Sequence, residues 1–383
     1  RQRQMCIRDS GETVGLRARL MTAVSPATRI EVVTEGVFTR MILDDPELAG
    51  VGAVIFDEFH ERSLDADFGL ALSLDAQDGL RPDLRLLVMS ATLDGARVAD
   101  LLSASGAPCP VISSDGRAHP VETRYVPRRP DATLEQAVAS AVVRALAETG
   151  GDILVFLPGQ REIRRVGDAL GERLGGEPID IRPLHGTLDR ADQDAALSPA
   201  PAGCRKVVLS SAIAETSLTI EGVTAVIDAG LARVPRFDVG ARLTRLETVR
   251  VSGAAADQRR GRAGRLGPGV CYRLWTEPET QSLPAYARPE ILSTDLSRLV
   301  LDCAAWGVTE PDRLAWMDPP PAATVRAARE DLLDLGAVDT AGRLTDLGRR
   351  LRALPLAPHL AAMIIRAAAL GAAGTAARLA ALI

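Results

Sequence analysis

In Ala53-Val54-Ile55-Phe56-Asp57-Glu58-Phe59-His60, an acidic pair follows directly on a short apolar run. The run from Ala53 to Phe56 predicts a strand buried on both faces, with Asp57 and Glu58 where that strand runs out. In an open α/β sheet that edge is where ligands bind. One carboxylate there can orient a Mg²⁺ ion or its water shell, and the other can take a proton from an attacking water on a bound nucleotide. A solvated acidic turn would carry the same letters. The chemical reading therefore requires the other half of a site elsewhere in the chain.

Upstream, Ile30 to Val33 reads as a strand that runs into Thr34-Glu35-Gly36, and a helix over 37–43 is stopped by Asp45-Pro46. Downstream, Ser63 is placed to cap a helix over 63–80 that carries Leu64, Phe68 and Leu72 at helical spacing. Leu84 to Met89 is a second buried-strand pattern, ending in Ser90-Ala91-Thr92 ahead of a helix over 93–102. Repeated strand, polar tip and helix predict a parallel sheet wound with helices. A Pro- and Arg-rich stretch at 116–130 reads as a linker, after which the cycle resumes. Helices are expected over 134–148 and 162–174, and strands over 152–158, 179–184, 206–209 and 223–227, with Gly159, His185 and Ser210 at or beside strand tips. The pattern is two α/β domains in tandem, and a cleft between such domains is the natural ligand site.

Composition excludes several classes. A chain of 383 residues with 46% hydrophobic and 25% charged residues is that of a soluble multi-domain protein. Its five cysteines form no CxxC and its four histidines no pair at metal-ligand spacing, which argues against a disulfide framework and against any metal other than Mg²⁺. No signal peptide is visible, and the alanine-rich end is interrupted by Arg366 and Arg378. The expectation is a cytoplasmic protein with no membrane span. Residues 1–10 fit no periodic pattern and are expected to be foreign or disordered. Lys206 is the only lysine and has no glycine-rich loop before it, so these residues contain no Walker A motif.

A net charge of −5 offers no global field for nucleic acid, yet Arg233 to Arg273 holds ten arginines against three acids. Within it, alternation over 231–252 predicts a projecting hairpin. Gln258-Arg259-Arg260-Gly261-Arg262-Ala263-Gly264-Arg265 then packs four arginines into eight residues, with two glycines that let backbone approach a ligand. Guanidinium forks delivered onto a γ-phosphate stabilise phosphoryl transfer, and the Gln258 amide can orient the attacking water. A solvated basic helix start is the plainer alternative. Beyond 276, helical periodicity over 291–306 and 322–335, with a β-wing between 336 and 344, suggests a small winged-helix domain.

Asp57 to His60, Ser90 to Thr92, Ala214 to Gly222 and Gln258 to Arg265 together resemble motifs II, III, V and VI of superfamily 2 helicases of the DEAH/RHA group. The phenylalanine in motif II and the run through Arg233, Arg236 and Arg242 look most like the bacterial HrpB-type ATP-dependent RNA helicases. The resemblance implies an α/β fold of two tandem RecA-like domains, the first lacking its Walker A strand and loop, then a winged-helix domain and the start of a helical, ratchet-like domain. Their expected spans are 11–117, 118–276, 277–347 and 348–383. It also implies ATP and Mg²⁺ as cofactors, and ATP hydrolysis coupled to translocation on single-stranded RNA and to unwinding of an RNA duplex with an overhang.

Residue by residue, the resemblance puts Asp57 on Mg²⁺ and makes Glu58 the general base. His60 and Gln258 would couple the domains, as would Ser90 and Thr92, while Arg262 and Arg265 would be arginine fingers. Thr219, Glu221 and Arg259 would bind the nucleotide. Thr34, Glu35 and Gly36 would face RNA from the first domain, and Gly159, Ser210 and Thr216 from the second. The hairpin would be the wedge that separates strands. Ser211-Ala212 stands where the group has Thr-Asn, and Leu197 where relatives place an aromatic against the adenine, which weakens any preference among nucleotides. The group's phosphate-binding loop would precede Gly11. Two other readings stay open: an RNA-binding module that holds no triphosphate, and a DNA-directed helicase.

Overall fold

The computed structural model describes residues 11–18, 21–91, 95–103, 106, 108–114, 119–215 and 218–382. They form two compact units, one of residues up to Ile112 with Phe237–Thr244 and Arg288 onward, the other of Ser113–Arg236 with Arg245–Ala287.

In the first unit, β1 (Val14–Ala18) pairs antiparallel with β2 (Met21–Ala23) and parallel with β3 (Ile30–Val33). Helix α1 (Glu35–Asp44) follows. The central run is strand β4 (Ala53–Phe56), paired in parallel with β5 (Arg85–Val88). These two strands are not buried on both faces as their letters predict. Val54 and Phe56 are inside, but Ile55 is 58% and Leu87 49% exposed, because one face of this pair is uncovered among the described residues.

The connecting helix α2 (Leu64–Gly79) shows the opposite departure. Every residue from Ala66 to Leu74 is buried, so it is enclosed all round rather than amphipathic. Ser63 caps it as expected, accepting the Ala66 N–H at 3.1 Å. The next helix, α3 (Gly95–Leu102), buries Val98, half-buries Leu101 and Leu102 against the core and exposes Ala96, Arg97 and Asp100.

The second unit is a six-stranded, all-parallel sheet in the order Val121–Tyr125 (β6), Gly269–Arg273 (β13), Val223–Asp228 (β10), Asp152–Phe156 (β7), Arg205–Ser210 (β9) and Ile179–Leu184 (β8). Its edge strand β6 (Val121–Tyr125) lies inside the stretch read as a linker. Its polar alternation suits an edge position, and that texture hid it in the sequence. The sheet continues as β7 (Asp152–Phe156), β8 (Ile179–Leu184), β9 (Arg205–Ser210) and β10 (Val223–Asp228). Helices α4 (Leu134–Glu148), α5 (Gln160–Leu174) and α6 (Arg190–Leu197) connect its strands. Here the inner strands are buried on both faces, every residue of β7 included, while the edge strands β6 and β8 are mostly half-buried.

Strands β11 (Leu231–Asp238) and β12 (Leu243–Arg250) form the expected hairpin, with Arg236 paired to Glu247 at 3.0 Å. Its tip belongs to the first unit, where Phe237 N–H donates to Ser293 and Arg242 pairs with Asp331. The hairpin returns to α7 (Gly253–Gly261), β13 (Gly269–Arg273) and the short α8 (Glu277–Gln281).

The remaining helices are α9 (Ser297–Trp306), α10 (Ala322–Leu335), α11 (Asp346–Arg352), α12 (Pro358–Ala369) and α13 (Ala373–Leu382). Gly336, at φ 75, stops α10, and Val338 bridges Leu344 antiparallel, which is the expected β-wing. These helices share one hydrophobic core with the N-terminal elements, from Phe38 and Leu72 through Leu301 to Leu332 and Ala361. Phe68 of α2 stacks on Trp316 at 5.9 Å, and Trp306 Nε1 donates to Asp75 at 2.7 Å. No helix of the described residues is long and apolar enough to cross a membrane.

Candidate nucleotide and nucleic-acid site

In the first unit, the tip of β4 is held by main chain. Met89 N–H donates to Phe56 at 2.8 Å and Phe59 N–H donates to Met89 at 3.0 Å, so the end of β5 clamps the turn that carries the acids. Glu58 takes a left-handed conformation, φ 50, and its N–H donates to its neighbour's Oδ1 at 2.9 Å. Non-glycine residues adopt this conformation at a cost, and it persists where surroundings over-determine it. Asp57 is exposed, and Glu58 is 41% exposed at its side chain. The His60 side chain is 6% exposed, and its Nδ1 lies 3.5 Å both from Glu58 Oε2 and from the Ala91 nitrogen. The histidine therefore touches the acidic pair and the end of the next strand together. Ser90 is exposed beside it, and Thr92 lies outside the described residues.

Thr34, Glu35 and Gly36 form the exposed N-terminus of α1; the Thr34 N–H donates to the Arg17 carbonyl at 3.3 Å, and the first-turn N–H groups of Glu35 and Gly36 suit an anion. Glu35 accepts from Ser63 Oγ, and a Cβ on Gly36 would stand 2.9 Å from Asp65 Oδ2. This motif thus packs against the start of the helix that follows the acidic pair.

In the second unit the arginine-rich motif spans the end of α7 and a 3₁₀ turn over Arg262–Gly264. Arg259, assigned to nucleotide binding by the resemblance, is fully buried and turned to protein groups. Its guanidinium donates to Asp228 at 2.8 Å, to Glu215 at 2.7 Å and to the Leu231 carbonyl at 3.2 Å, and it lies 5.0 Å over the Phe156 ring. Burial works against its charge, but the two carboxylates outweigh that and hold its pKa above the ordinary value. It ties α7 to the ends of β10 and β7 and to the Glu215 turn.

Arg262 is 6% exposed and donates to the main-chain carbonyls of Glu215 at 2.9 Å and Leu218 at 2.6 Å. Arg265 is exposed, and its Nη1 donates to Thr219 Oγ1 at 2.8 Å. Glu221 is exposed nearby in sequence, Gln258 is half-buried on α7, and Thr216 lies outside the described residues. Gly264 is the glycine that matters for packing. A Cβ there would stand 2.7 Å from the His119 carbonyl and 2.7 Å from Val121, so it admits β6 rather than a ligand. Around Gly261 there is open space.

Two residues assigned to RNA are not presented. Ser210 is fully buried, and its hydroxyl donates to the Leu184 and Ser211 carbonyls at 3.2 and 2.9 Å, because it closes the inner strand β9. Gly159 is also buried, with Arg233 Nη1 2.8 Å from the position of a Cβ. At the same sheet end, a polar group missed in the sequence is exposed: Gln160 Nε2 and Thr187 Oγ1 lie 3.2 and 3.1 Å from His185 Nδ1. Only the strand-tip position of His185 and Gln160 could have signalled it. Lys206 is buried and donates to the Ala196 carbonyl at 2.9 Å, and burial lowers its pKa. Leu197 packs against the core of this unit instead of facing outward.

Residues 135–267 match the helicase conserved C-terminal domain, and 328–356 match the winged-helix helicase-associated domain HA2. The class is that of helicases with a RecA-type domain followed by a winged helix. The chain is 49% identical to the ATP-dependent RNA helicase HrpB of Escherichia coli over 373 residues, which is 97% of the chain and 45% of that protein. It is 40% identical to the Schizosaccharomyces pombe pre-mRNA-splicing factor ATP-dependent RNA helicase prp22, over 93% of the chain and 31% of the relative. A crystal structure of the Escherichia coli DEAH/RHA helicase HrpB matches all of the chain and 48% of its own length, with a TM-score of 0.90 and 48% identity. The chain belongs to the DEAH/RHA helicase family, and it spans less than half the length of these relatives.

Proposed function

We propose that the chain is the part of an ATP-dependent RNA helicase that activates water for ATP hydrolysis and grips single-stranded RNA. One observation carries this reading: an exposed acidic pair, its second member held left-handed by main-chain clamps, in a chain 49% identical to an ATP-dependent RNA helicase. Glu58 takes the proton from the attacking water, and His60 fixes its carboxylate. Asp57 is exposed with one oxygen committed to the Glu58 N–H, which leaves carboxylate oxygen for Mg²⁺ or its water shell. When bound, that ion neutralises charge on the transferring phosphoryl group.

Arg265 and Arg262 supply cationic forks to the γ-phosphate, with Gln258 orienting the water, and Thr219 and Glu221 lie by the ribose. The first-turn N–H groups of Glu35 and Gly36 in α1 meet the RNA backbone. Main-chain contacts of this kind read no sequence, so single-stranded RNA and overhanging duplexes are both substrates, and DNA is the competitor to test.

Within these residues the one lysine is buried against carbonyls, so hydrolysis is to be measured on the intact protein. Steady-state ATP hydrolysis with and without single-stranded RNA, beside Glu58→Gln, is the test. RNA-stimulated turnover lost in the variant supports the proposal; RNA binding without turnover in the parent would make the chain part of a binding module.

A further inference from the structure

The acidic turn is clamped at its far end as well as at β5. The 3₁₀ turn Phe59–Glu61 is bracketed by two left-handed residues, Glu58 at φ 50 and Arg62 at φ 51. Two such residues around one turn store strain that the surroundings must hold. At the Arg62 end one holding group, Asp67, is local and two, Asp318 and Glu290, come from far along the chain. The buried guanidinium donates through Nε and Nη2 to Asp67 at 2.9 and 3.0 Å and through Nη2 to Asp318 at 2.8 Å. The Arg62 carbonyl accepts from Glu290 N–H at 3.1 Å, and Glu290 Oε2 accepts the Leu64 N–H at 2.8 Å. Asp318 is itself steadied by Arg97 at 3.3 Å.

We propose that Arg62 is a positioning residue, tied by Asp318 to the segment between α9 and α10, through which that segment sets the carboxylate of Glu58. The argument is geometric. Arg62 sits four residues beyond Glu58, and the turn between them has both ends fixed. Movement of 290–318 relative to α2 pulls on one end while β5 holds the other, so the displacement falls on Glu58 and His60. The inference rests on the reading of Glu58 as the general base.

The test uses the intact protein with Asp318→Asn, which leaves Arg62 paired to Asp67 and strands no buried charge. Arg62→Lys stands beside it, keeping the charge but not the fork that spans both acids. Amide hydrogen exchange over 57–63 is measured together with the kcat and KM for ATP in single-stranded RNA. Both variants should lose protection over 57–63 and lower kcat roughly 3- to 30-fold, with KM for ATP within about twofold of the parent. A role confined to stability would lower the melting temperature and leave the kcat of the folded fraction alone. Protection and kcat equal to the parent's would overturn the tie. Lost protection in a protein whose parent hydrolyses no ATP would uphold the tie and reject Glu58 as the base.

Discussion

Arg259 Nη1 stands 2.8 Å from Asp228 Oδ1, and neither side chain reaches solvent. A motif rich in arginine thus spends one of them inside the protein, where it joins α7 to the sheet and to the Glu215 turn. Removing one partner of a buried pair leaves an uncompensated charge, which costs roughly 3–5 kcal/mol. Arg259→Ala should therefore lower the unfolding free energy of the second unit by about that amount in urea titration. A loss under about 1 kcal/mol, with nucleotide affinity reduced, would return Arg259 to the nucleotide.

Glu58→Gln keeps the shape of the base and removes its ability to accept a proton. Turnover in the intact protein should fall roughly 10²- to 10⁴-fold, with single-stranded RNA affinity unchanged in a fluorescence-anisotropy titration. Appreciable residual hydrolysis would assign the base elsewhere.

Arg262 and Arg265 separate by their partners. Arg265→Ala should cost about 10³-fold or more in kcat as a finger and lower the melting temperature less than Arg262→Ala does, because Arg265 is exposed where Arg262 is 6% exposed. Arg262→Ala should lose turnover and also lower the melting temperature, because it frees the Glu215 and Leu218 carbonyls from their donors. Differential scanning fluorimetry beside single-turnover kinetics checks both.

The two glycines of the motif give opposite expectations. Gly264→Ala puts a methyl 2.7 Å from the His119 carbonyl and from Val121, and overpacking of this kind costs roughly 1–3 kcal/mol. Gly261→Ala meets nothing and sits at a helical φ of −58, so it should be neutral or stabilising by up to about 1 kcal/mol. Loss of hydrolysis in a stable Gly261→Ala protein would mark the place where backbone approaches nucleotide.

Glu279 caps α8 and is pulled down to about 2 by the Thr276 N–H, then by Arg250 and the Thr276 hydroxyl. A lowered folded-state pKa contributes stability that is complete above the ordinary value of 4.5 and lost as pH falls toward 2. The pH dependence of unfolding should be shallower in Glu279→Gln over that window and identical above it.

The inner strands of the second unit were legible because their faces are both buried. Ile153, Leu154 and Val155 are fully enclosed, and an apolar run then maps directly onto a strand. The same inference misjudged β4 and β5. Ile55 and Leu87 carry the same letters yet face outward, since burial of a strand depends on what covers it. Strand β6 was lost to the linker because Glu122 and Arg124, which pair with each other, mark an edge.

What the sequence determined by itself was the order of the strongly periodic elements and the chemistry of their tips: the acids after β4, the arginines at the end of α7, the cap at Ser63. Those follow from local periodicity and residue type, which need no partner far along the chain. Only the tertiary structure decided which polar side chains are presented and which are spent inside. Arg259 and Ser210 became internal because Asp228 and the Leu184 carbonyl lie beside them, and Arg62 became a strut because Asp318, 256 residues away, meets it. A guanidinium has the same letter whether it faces solvent or a buried carboxylate, and the difference is set by contacts that only the folded chain makes.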